Sequence, residues 1–93
     1  MDLWVDDCKP CPEGMAVART YEDAVGLLQR FDYDTVYLDH DLGDAGTATG
    51  YDLLCAIEAG TLRRPKRIEL ITWNPVGRQK MLACLKRMEE HDD

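Results

Sequence analysis

The sequence predicts a small α/β domain with an open, mostly parallel four-stranded sheet and three helices. Short apolar runs alternate along the chain with amphipathic segments, and each run stops at polar or charged residues. Strands that alternate with helices are joined by right-handed crossovers, which favour a parallel sheet. A length of 93 residues fits one domain, so we predict a single domain over residues 1–93.

Four short runs have the composition of strands. Runs of this length that are rich in apolar and β-branched residues and bounded by turn-forming residues are typical of strands. The runs are Leu3–Val5, Ala16–Ala18, Thr35–Leu38 and Ile68–Ile71. The connection between the first two, Cys8–Met15, contains two prolines and a glycine. Because it is too short and too interrupted for a helix, we predict a tight first crossover.

Three helices are predicted, after the second, third and fourth strands. Thr20 and Asp23 have the spacing of a capping box, and so do Thr49 and Asp52. The pair Asn74–Pro75 is a third start signal, because Asn suits the N-cap and Pro the first helical position. Apolar residues follow each start at helical spacing, so each helix is predicted to bury one face.

Charge and composition exclude several classes of protein. The chain has 11 basic and 18 acidic residues and a formal net charge of −7, which argues against general nucleic-acid binding. No apolar run approaches the roughly 20 residues of a membrane span, and the acidic N-terminal segment is unlike a signal peptide. We therefore expect a cytoplasmic protein that does not bind membranes, with its four cysteines as free thiols.

Acidic residues follow two of the predicted strands. Asp6 and Asp7 follow the first strand, and Asp39 and Asp41 come after the third. The carboxyl ends of parallel strands form the ligand-binding edge of an open sheet, so these carboxylates are expected to meet. Clustered carboxylates repel one another unless a proton or a cation neutralises them. Asp6, Asp7 and Asp39 are therefore predicted to bind Mg²⁺ or Mn²⁺, the alternative being that they are solvated loop and cap residues.

The same edge carries groups that suit a phosphate. The start of the last helix offers free backbone N–H groups and a favourable dipole, and a glycine there allows close approach of the backbone. The residues predicted to contact phosphate oxygens are Arg19, Thr72, Asn74, Gly77 and Arg78. The simpler interpretation is that Asn74 only caps the helix and that Arg78 faces solvent.

Asp39, His40 and Asp41 are the predicted catalytic residues. A histidine beside a divalent cation could transfer a proton near neutral pH, which makes His40 the candidate for that step. Strand alternation predicts, however, that the His40 side chain lies on the other face from Asp39 and Asp41. A structural role for His40, in capping or packing, is an equally good interpretation.

Two motifs carry a family resemblance. The acidic pair Asp6–Asp7, the single Asp39 and the hydroxyl of Thr72, each at a strand end, resemble the site of response-regulator receiver domains. A closer resemblance, over nearly the whole chain, is to a shortened receiver-like family, the cyclic-phosphate processing receiver domains. Its most specific parts are Leu38–Gly43 and Asn74–Gly77.

The resemblance implies a truncated receiver topology of the flavodoxin-like type and a role on cyclic phosphates. The reaction would be the opening of a cyclic phosphodiester by a divalent-metal-dependent phosphoesterase. The ligand would be a phosphate-bearing small molecule, such as a nucleotide, or an RNA end. The family pattern places a His-Ser pair where this chain has Ile71 and Thr72. Loss of that histidine supports the alternative, a non-catalytic module that binds a phosphate or a partner.

Two further hypotheses concern the loop cysteines and the sheet edge. The segment Cys8–Cys11 has the C-x-P-C pattern of thiol oxidoreductases, but Pro12 and Gly14 argue against a helix starting there. The neighbouring aspartates would also raise the pKa of the thiol, which is the wrong direction for an attacking thiol. A sheet of four strands leaves an edge that needs cover, so a homodimer formed through that edge is a further prediction.

Overall fold

Four strands and three helices alternate in the predicted order within residues 1–42 and 48–90, which the computed structural model describes. Gly43, the last residue of one family motif, lies outside the described residues. The elements are β1 (Leu3–Val5), β2 (Ala16–Ala18), α1 (Tyr21–Arg30), β3 (Thr35–Leu38), α2 (Gly50–Glu58), β4 (Arg67–Leu70) and α3 (Pro75–Glu90). Among the described helices, none has the length and apolar character needed to cross a bilayer.

All four strands pair in parallel, in the order β2-β1-β3-β4. This confirms the predicted α/β fold, and the order is that of the first four strands of flavodoxin-like sheets. The link between β1 and β2 spans residues 6–15 without a helix, as predicted. The fourth strand lies one residue earlier than predicted, since Ile71 is outside it. β2 and β4 are the sheet edges, and a homodimer through such an edge stays a prediction.

The helices cover one face of the sheet. Right-handed crossovers place α1 and α2 on the same face, and α3 packs against α2. Leu3 and Val5 of β1 and Val36 and Leu38 of β3 point to this face and have no solvent exposure. The buried core consists of Leu3, Val5, Ala18, Ala24, Leu28, Tyr33, Val36, Leu38, Leu42, Leu53, Leu54, Ile57, Leu62, Met81, Cys84 and Met88.

The alternate residues of the same strands lie on the opposite face. Trp4 and Tyr37 are neighbours in the β1–β3 register, and their ring centroids are 5.7 Å apart. Val17, beside Trp4 on β2, is 42 % exposed. A helical crossover from β1 to β2 would cover this face, and the short link at residues 6–15 takes its place. The shortened crossover therefore leaves this aromatic pair at the surface of the described part of the chain.

Side-chain caps fix where each helix begins. Thr20 and Thr49 each accept a hydrogen bond from the backbone N–H three residues later, and the second of these belongs to a complete capping box. The Asn74 side-chain oxygen accepts hydrogen bonds from the N–H groups of Val76 and Gly77, each at 3.1 Å. All three predicted helix starts are confirmed, because each depends on local contacts within one turn.

The first turn of α2 lies directly against the chain that leaves β3. The Gly50 N–H donates a hydrogen bond to the His40 carbonyl oxygen at 2.7 Å. A β-carbon at Gly50 would lie 1.9 Å from the Asp39 carbonyl oxygen. A side chain at this position is therefore incompatible with the present spacing, and glycine lets α2 support the backbone at Asp39 and His40.

We expect Gly50→Ala to lower the free energy of unfolding by about 2–3 kcal/mol or more, because the new methyl group meets backbone atoms that cannot move aside cheaply. Gly26→Ala is the matched control, since a β-carbon at this position inside α1 meets nothing within 4 Å. That control should be stabilised by up to about 1 kcal/mol. Urea unfolding of both variants measures the difference, and equal stabilities would show that the contact at Gly50 is unimportant.

Candidate functional site

Asp6 places a fully buried carboxylate at the carboxyl end of the central strand β1. Its side chain has no solvent exposure. Its Oδ1 accepts a hydrogen bond from the Cys8 N–H at 3.3 Å, whereas Oδ2 is buried without a hydrogen-bond partner among the described residues. The Asp6 N–H donates to the Ala18 carbonyl oxygen of β2, so the residue is held in place by the sheet. A buried carboxylate oxygen without a partner is costly, which makes Asp6 a candidate for binding a positively charged group.

Asp7 and Cys8 complete a compact group with Asp6. One candidate ligand atom from each of these three residues lies within 4.8 Å of the other two. Asp7 is half-buried and Cys8 is exposed, so the group opens from the buried Asp6 carboxylate to solvent. Two of the three predicted metal ligands, Asp6 and Asp7, are therefore brought together, along with a thiol that was not predicted as a ligand.

Asp39, the third predicted metal ligand, lies at the end of β3 but is not a member of that compact group. Its side chain is 6 % exposed, and its Oδ1 accepts a hydrogen bond from the His40 N–H at 2.8 Å. Its N–H donates to the Val5 carbonyl oxygen, which aligns it with the end of β1. Asp39 thus lies at the predicted edge, and its part in metal binding stays a prediction.

His40 packs against the first turn of α3. A β-carbon at Gly77 would lie 2.5 Å from two atoms of the imidazole ring, so the absence of a side chain there makes room for His40. The His40 Nδ1 lies 3.2 Å from Asp41 Oδ1, and the Asp41 side chain is exposed. The expectation that His40 and Asp41 point to opposite faces is wrong, because β3 ends at Leu38 and strand alternation no longer applies beyond it.

Two basic side chains tie the β1–β2 link to the site. The Arg19 guanidinium donates through Nη1 to the carbonyl oxygens of Asp6 and Lys9. The Lys9 ammonium donates to the Ile71 carbonyl oxygen at 2.7 Å and lies 5.3 Å from the ring centroid of Trp73. Both cations bind backbone oxygens, so neither one neutralises the second carboxylate oxygen of Asp6.

The remaining predicted phosphate ligands follow β4. Thr72 is buried, and its Oγ1 accepts a hydrogen bond from the Asn74 N–H at 3.1 Å. Asn74 caps α3 with its side-chain oxygen, and Arg78 is exposed and donates through Nη1 to the Leu70 carbonyl oxygen at 3.3 Å. The His40 ring fills the space beside Gly77 where a side chain would otherwise lie. These residues lie together at the carboxyl edge, and their contacts with phosphate stay a prediction.

One known protein family matches this sequence over nearly its whole length. A family model described as a cyclic-phosphate processing receiver domain matches residues 1–87 of the 93. The chain belongs to the cyclic-phosphate processing receiver family. No curated protein and no solved structure gave a significant match. The resemblance inferred from Leu38–Gly43 and Asn74–Gly77 is confirmed.

The Cys8 thiol in the loop of this receiver domain is unsuited to nucleophilic attack. A hydrogen bond to the Asp7 carboxylate raises the pKa of the Cys8 thiol, and the charges of Asp6 and Asp39 add to the effect. This confirms the predicted direction, which is opposite to that of an attacking thiol. In α3, burial and the neighbouring Glu58 raise the pKa of Cys84 to about 11. The oxidoreductase interpretation of the Cys8–Cys11 segment therefore gains no support.

Sequence reasoning did not predict the contacts that three residues make at the site of this receiver domain. Cys8 lies in one compact group with Asp6 and Asp7, and the fact that the three residues are consecutive after β1 could have predicted this. Lys9 reaches the end of β4, a contact between residues 62 positions apart that no local pattern encodes. Gly50 lets α2 lie close to the backbone of Asp39 and His40. The only indication in the sequence is that a glycine stands in the first turn of a helix.

We expect Asp7→Asn to speed the alkylation of Cys8 at pH 8 in the presence of EDTA. Removal of the Asp7 charge lowers the raised pKa of the thiol, so more thiolate is present, while the lower basicity of the thiolate offsets part of the gain. The net acceleration should be about two- to threefold. Rates of iodoacetamide labelling, resolved by peptide mass spectrometry, measure it.

Glu13→Gln is the matched control, because it removes one negative charge from the same loop without touching Cys8. It should leave the labelling rate of Cys8 unchanged. Equal acceleration in both variants would mean that the general charge of the loop, and not the hydrogen bond that the Cys8 thiol donates to Asp7, controls the reactivity of the thiol.

Proposed function

We propose that the domain binds a divalent cation, Mg²⁺ or Mn²⁺, at the carboxyl edge of the sheet and acts there as a phosphoesterase on a cyclic phosphate. The observation that carries this proposal is the Asp6 carboxylate, fully buried with one oxygen that has no partner among the described residues. Membership of the cyclic-phosphate processing receiver family supports the choice of substrate class.

The donor set fits a divalent cation. Asp6 and Asp7 supply carboxylate oxygens, the hard ligands that Mg²⁺ and Mn²⁺ prefer, and Asp39 is proposed as a further ligand from the adjacent strand end. The neighbouring cations Lys9 and Arg19 are directed to backbone carbonyl oxygens. When bound, a divalent cation would polarise a phosphoryl oxygen of the substrate.

Basic and hydroxyl groups around this position are proposed to hold the phosphate. Arg19 and Arg78 each use Nη1 for a backbone oxygen, and a guanidinium has further N–H groups to offer a phosphate. Thr72 contributes a buried hydroxyl at the end of β4. At the start of α3, Asn74 occupies the N–H groups of Val76 and Gly77, so a phosphate there must displace the Asn74 side chain.

The His40–Asp41 pair is proposed to take a proton from the water molecule that attacks the cyclic phosphate. A carboxylate 3.2 Å from Nδ1 favours the tautomer in which Nδ1 carries the hydrogen, which leaves Nε2 as the acceptor. The ring is held in place by its close contact with Gly77. His40 therefore has a defined orientation and directly follows Asp39 in the chain, and fixed positioning of this kind is one requirement of a general base.

A non-catalytic binding module is the second candidate function. Ile71, which stands where the family pattern has histidine, has an apolar side chain that can neither donate nor accept a proton. Its backbone is bound on both sides, by the Leu38 carbonyl oxygen and by Lys9. Such a module would hold a phosphate-bearing small molecule, an RNA end or a phosphate-bearing partner at the same edge without turnover.

Turnover of a nucleoside cyclic phosphate and of an RNA oligonucleotide with a cyclic-phosphate end distinguishes these two functions. With Mn²⁺ present, we expect the wild type to form many equivalents of linear phosphate product. Asp6→Asn should reduce the rate by about a hundredfold or more, because it removes the buried charge that holds the cation. The control Asp32→Asn, at a surface aspartate 81 % exposed at its side chain, should retain full activity.

Binding of either ligand without product would establish the binding module and contradict the enzyme. If the wild type neither binds nor converts these compounds, both proposed functions are wrong. Activity that survives in Asp6→Asn would show that a different group carries the reaction.

A further inference from the structure

We propose that Cys8 is a third ligand of the cation site, and that the site therefore prefers a borderline or soft divalent cation such as Zn²⁺ or Co²⁺ over Mg²⁺. The inference rests on the proposed function only in placing the cation at the same edge. It concerns the mixed group of two carboxylates and one thiol formed by Asp6, Asp7 and Cys8.

The spacing of the three side chains is close to that of a ligand set. One ligand atom from each residue lies within 4.8 Å of the others. In tetrahedral coordination, two ligands of one Zn²⁺ lie about 3.3–3.8 Å apart when metal–ligand distances are about 2.0–2.3 Å. Cys8 is exposed, so its side chain can rotate toward the two carboxylates without disturbing the core.

The Asp6 carboxylate supplies a second, independent indication of a ligand. It has no solvent exposure, and its Oδ2 has no hydrogen-bond partner among the described residues. The basic groups next to it, Lys9 and Arg19, bind backbone carbonyl oxygens. A cation from solution is the partner that would satisfy this oxygen, and the exposed Cys8 thiol belongs to the same compact group.

Hydrogen bonds fix the backbone of Cys8 beside the Asp6 carboxylate. Asp6 Oδ1 accepts the Cys8 N–H at 3.3 Å, which turns the chain back at the end of β1. Arg19 Nη1 binds the carbonyl oxygens of Asp6 and Lys9, the residues on either side of Asp7 and Cys8. The group is therefore organised before any cation binds, which lowers the cost of binding.

The thiol decides which cation the group prefers. A thiolate is a soft ligand that binds Zn²⁺ and Co²⁺ strongly, whereas Mg²⁺ takes oxygen ligands. Binding forms one metal–sulfur bond and releases the thiol proton to solvent, and no electron is transferred.

The experiment is a Co²⁺ titration of the intact chain in reducing, oxygen-free buffer, followed by absorption. Wild type is expected to show a thiolate-to-cobalt charge-transfer band in the near ultraviolet that saturates at one Co²⁺ per chain. Cys8→Ser should lose the band. Cys11→Ser is the matched control and should keep it, since Cys11 lies three residues away in the same loop and outside the group.

Competition between Co²⁺ and other divalent cations measures which cation the site prefers. Zn²⁺ should displace Co²⁺ and abolish the band, whereas Mg²⁺ in large excess should not. Cys8→Ser should weaken Zn²⁺ binding by about tenfold or more while Mn²⁺ binding changes by less than about threefold, because Mn²⁺ gains less from sulfur. A wild type without the band, a band that survives Cys8→Ser, or displacement by Mg²⁺ would overturn the proposal.

Failure of this proposal is distinguishable from failure of the proposed function. If Cys8→Ser leaves every cation affinity unchanged and Mn²⁺-dependent turnover persists, Cys8 is not a ligand and the proposed function stands. If neither the wild type nor Asp6→Asn binds any cation, both this proposal and the proposed function are wrong.

Discussion

Asp6 brings a carboxylate to a position without solvent exposure, at the end of a strand that pairs with a neighbour on each side. Its backbone is bonded to β2, and the Asp39 backbone next to it is bonded to β1. The parallel ladder therefore prevents either residue from turning away to relieve its charge. A buried carboxylate in so fixed a place is unfavourable without a positive partner, and the proposed cation site rests on that cost.

The short β1–β2 link supplies much of the surroundings of that carboxylate. Where a helix would have carried the chain across the sheet, residues 6–15 stay close to the carboxyl edge. Lys9 can then bind the end of β4, and Arg19 can bind the link itself. The same shortening leaves Trp4 and Tyr37 on a face that no described helix covers. Loss of one crossover helix thus both shapes the site and exposes part of the sheet.

Local sequence patterns were sufficient to predict the elements of this receiver domain. Thr20, Thr49 and Asn74 cap helices as predicted, because capping depends on contacts within one turn. The parallel pairing of the strands, and with it the position of Asp39 beside the end of β1, also follows from the alternation of strands and helices. The orientation of His40 was predicted wrongly, since it depends on the point where β3 ends and on the space left at Gly77.

Thermal unfolding in EDTA, Mg²⁺, Mn²⁺ and Zn²⁺, for the wild type and Asp6→Asn, tests most directly whether the buried carboxylate holds a cation. A ligand that binds only the folded state stabilises it by roughly 2.7 kcal/mol at 100 times its dissociation constant. We predict that divalent cations raise the Tm of the wild type and not that of Asp6→Asn, and that in EDTA the variant is at least as stable. The absence of a shift with every cation, or an equal shift in both proteins, would contradict the account.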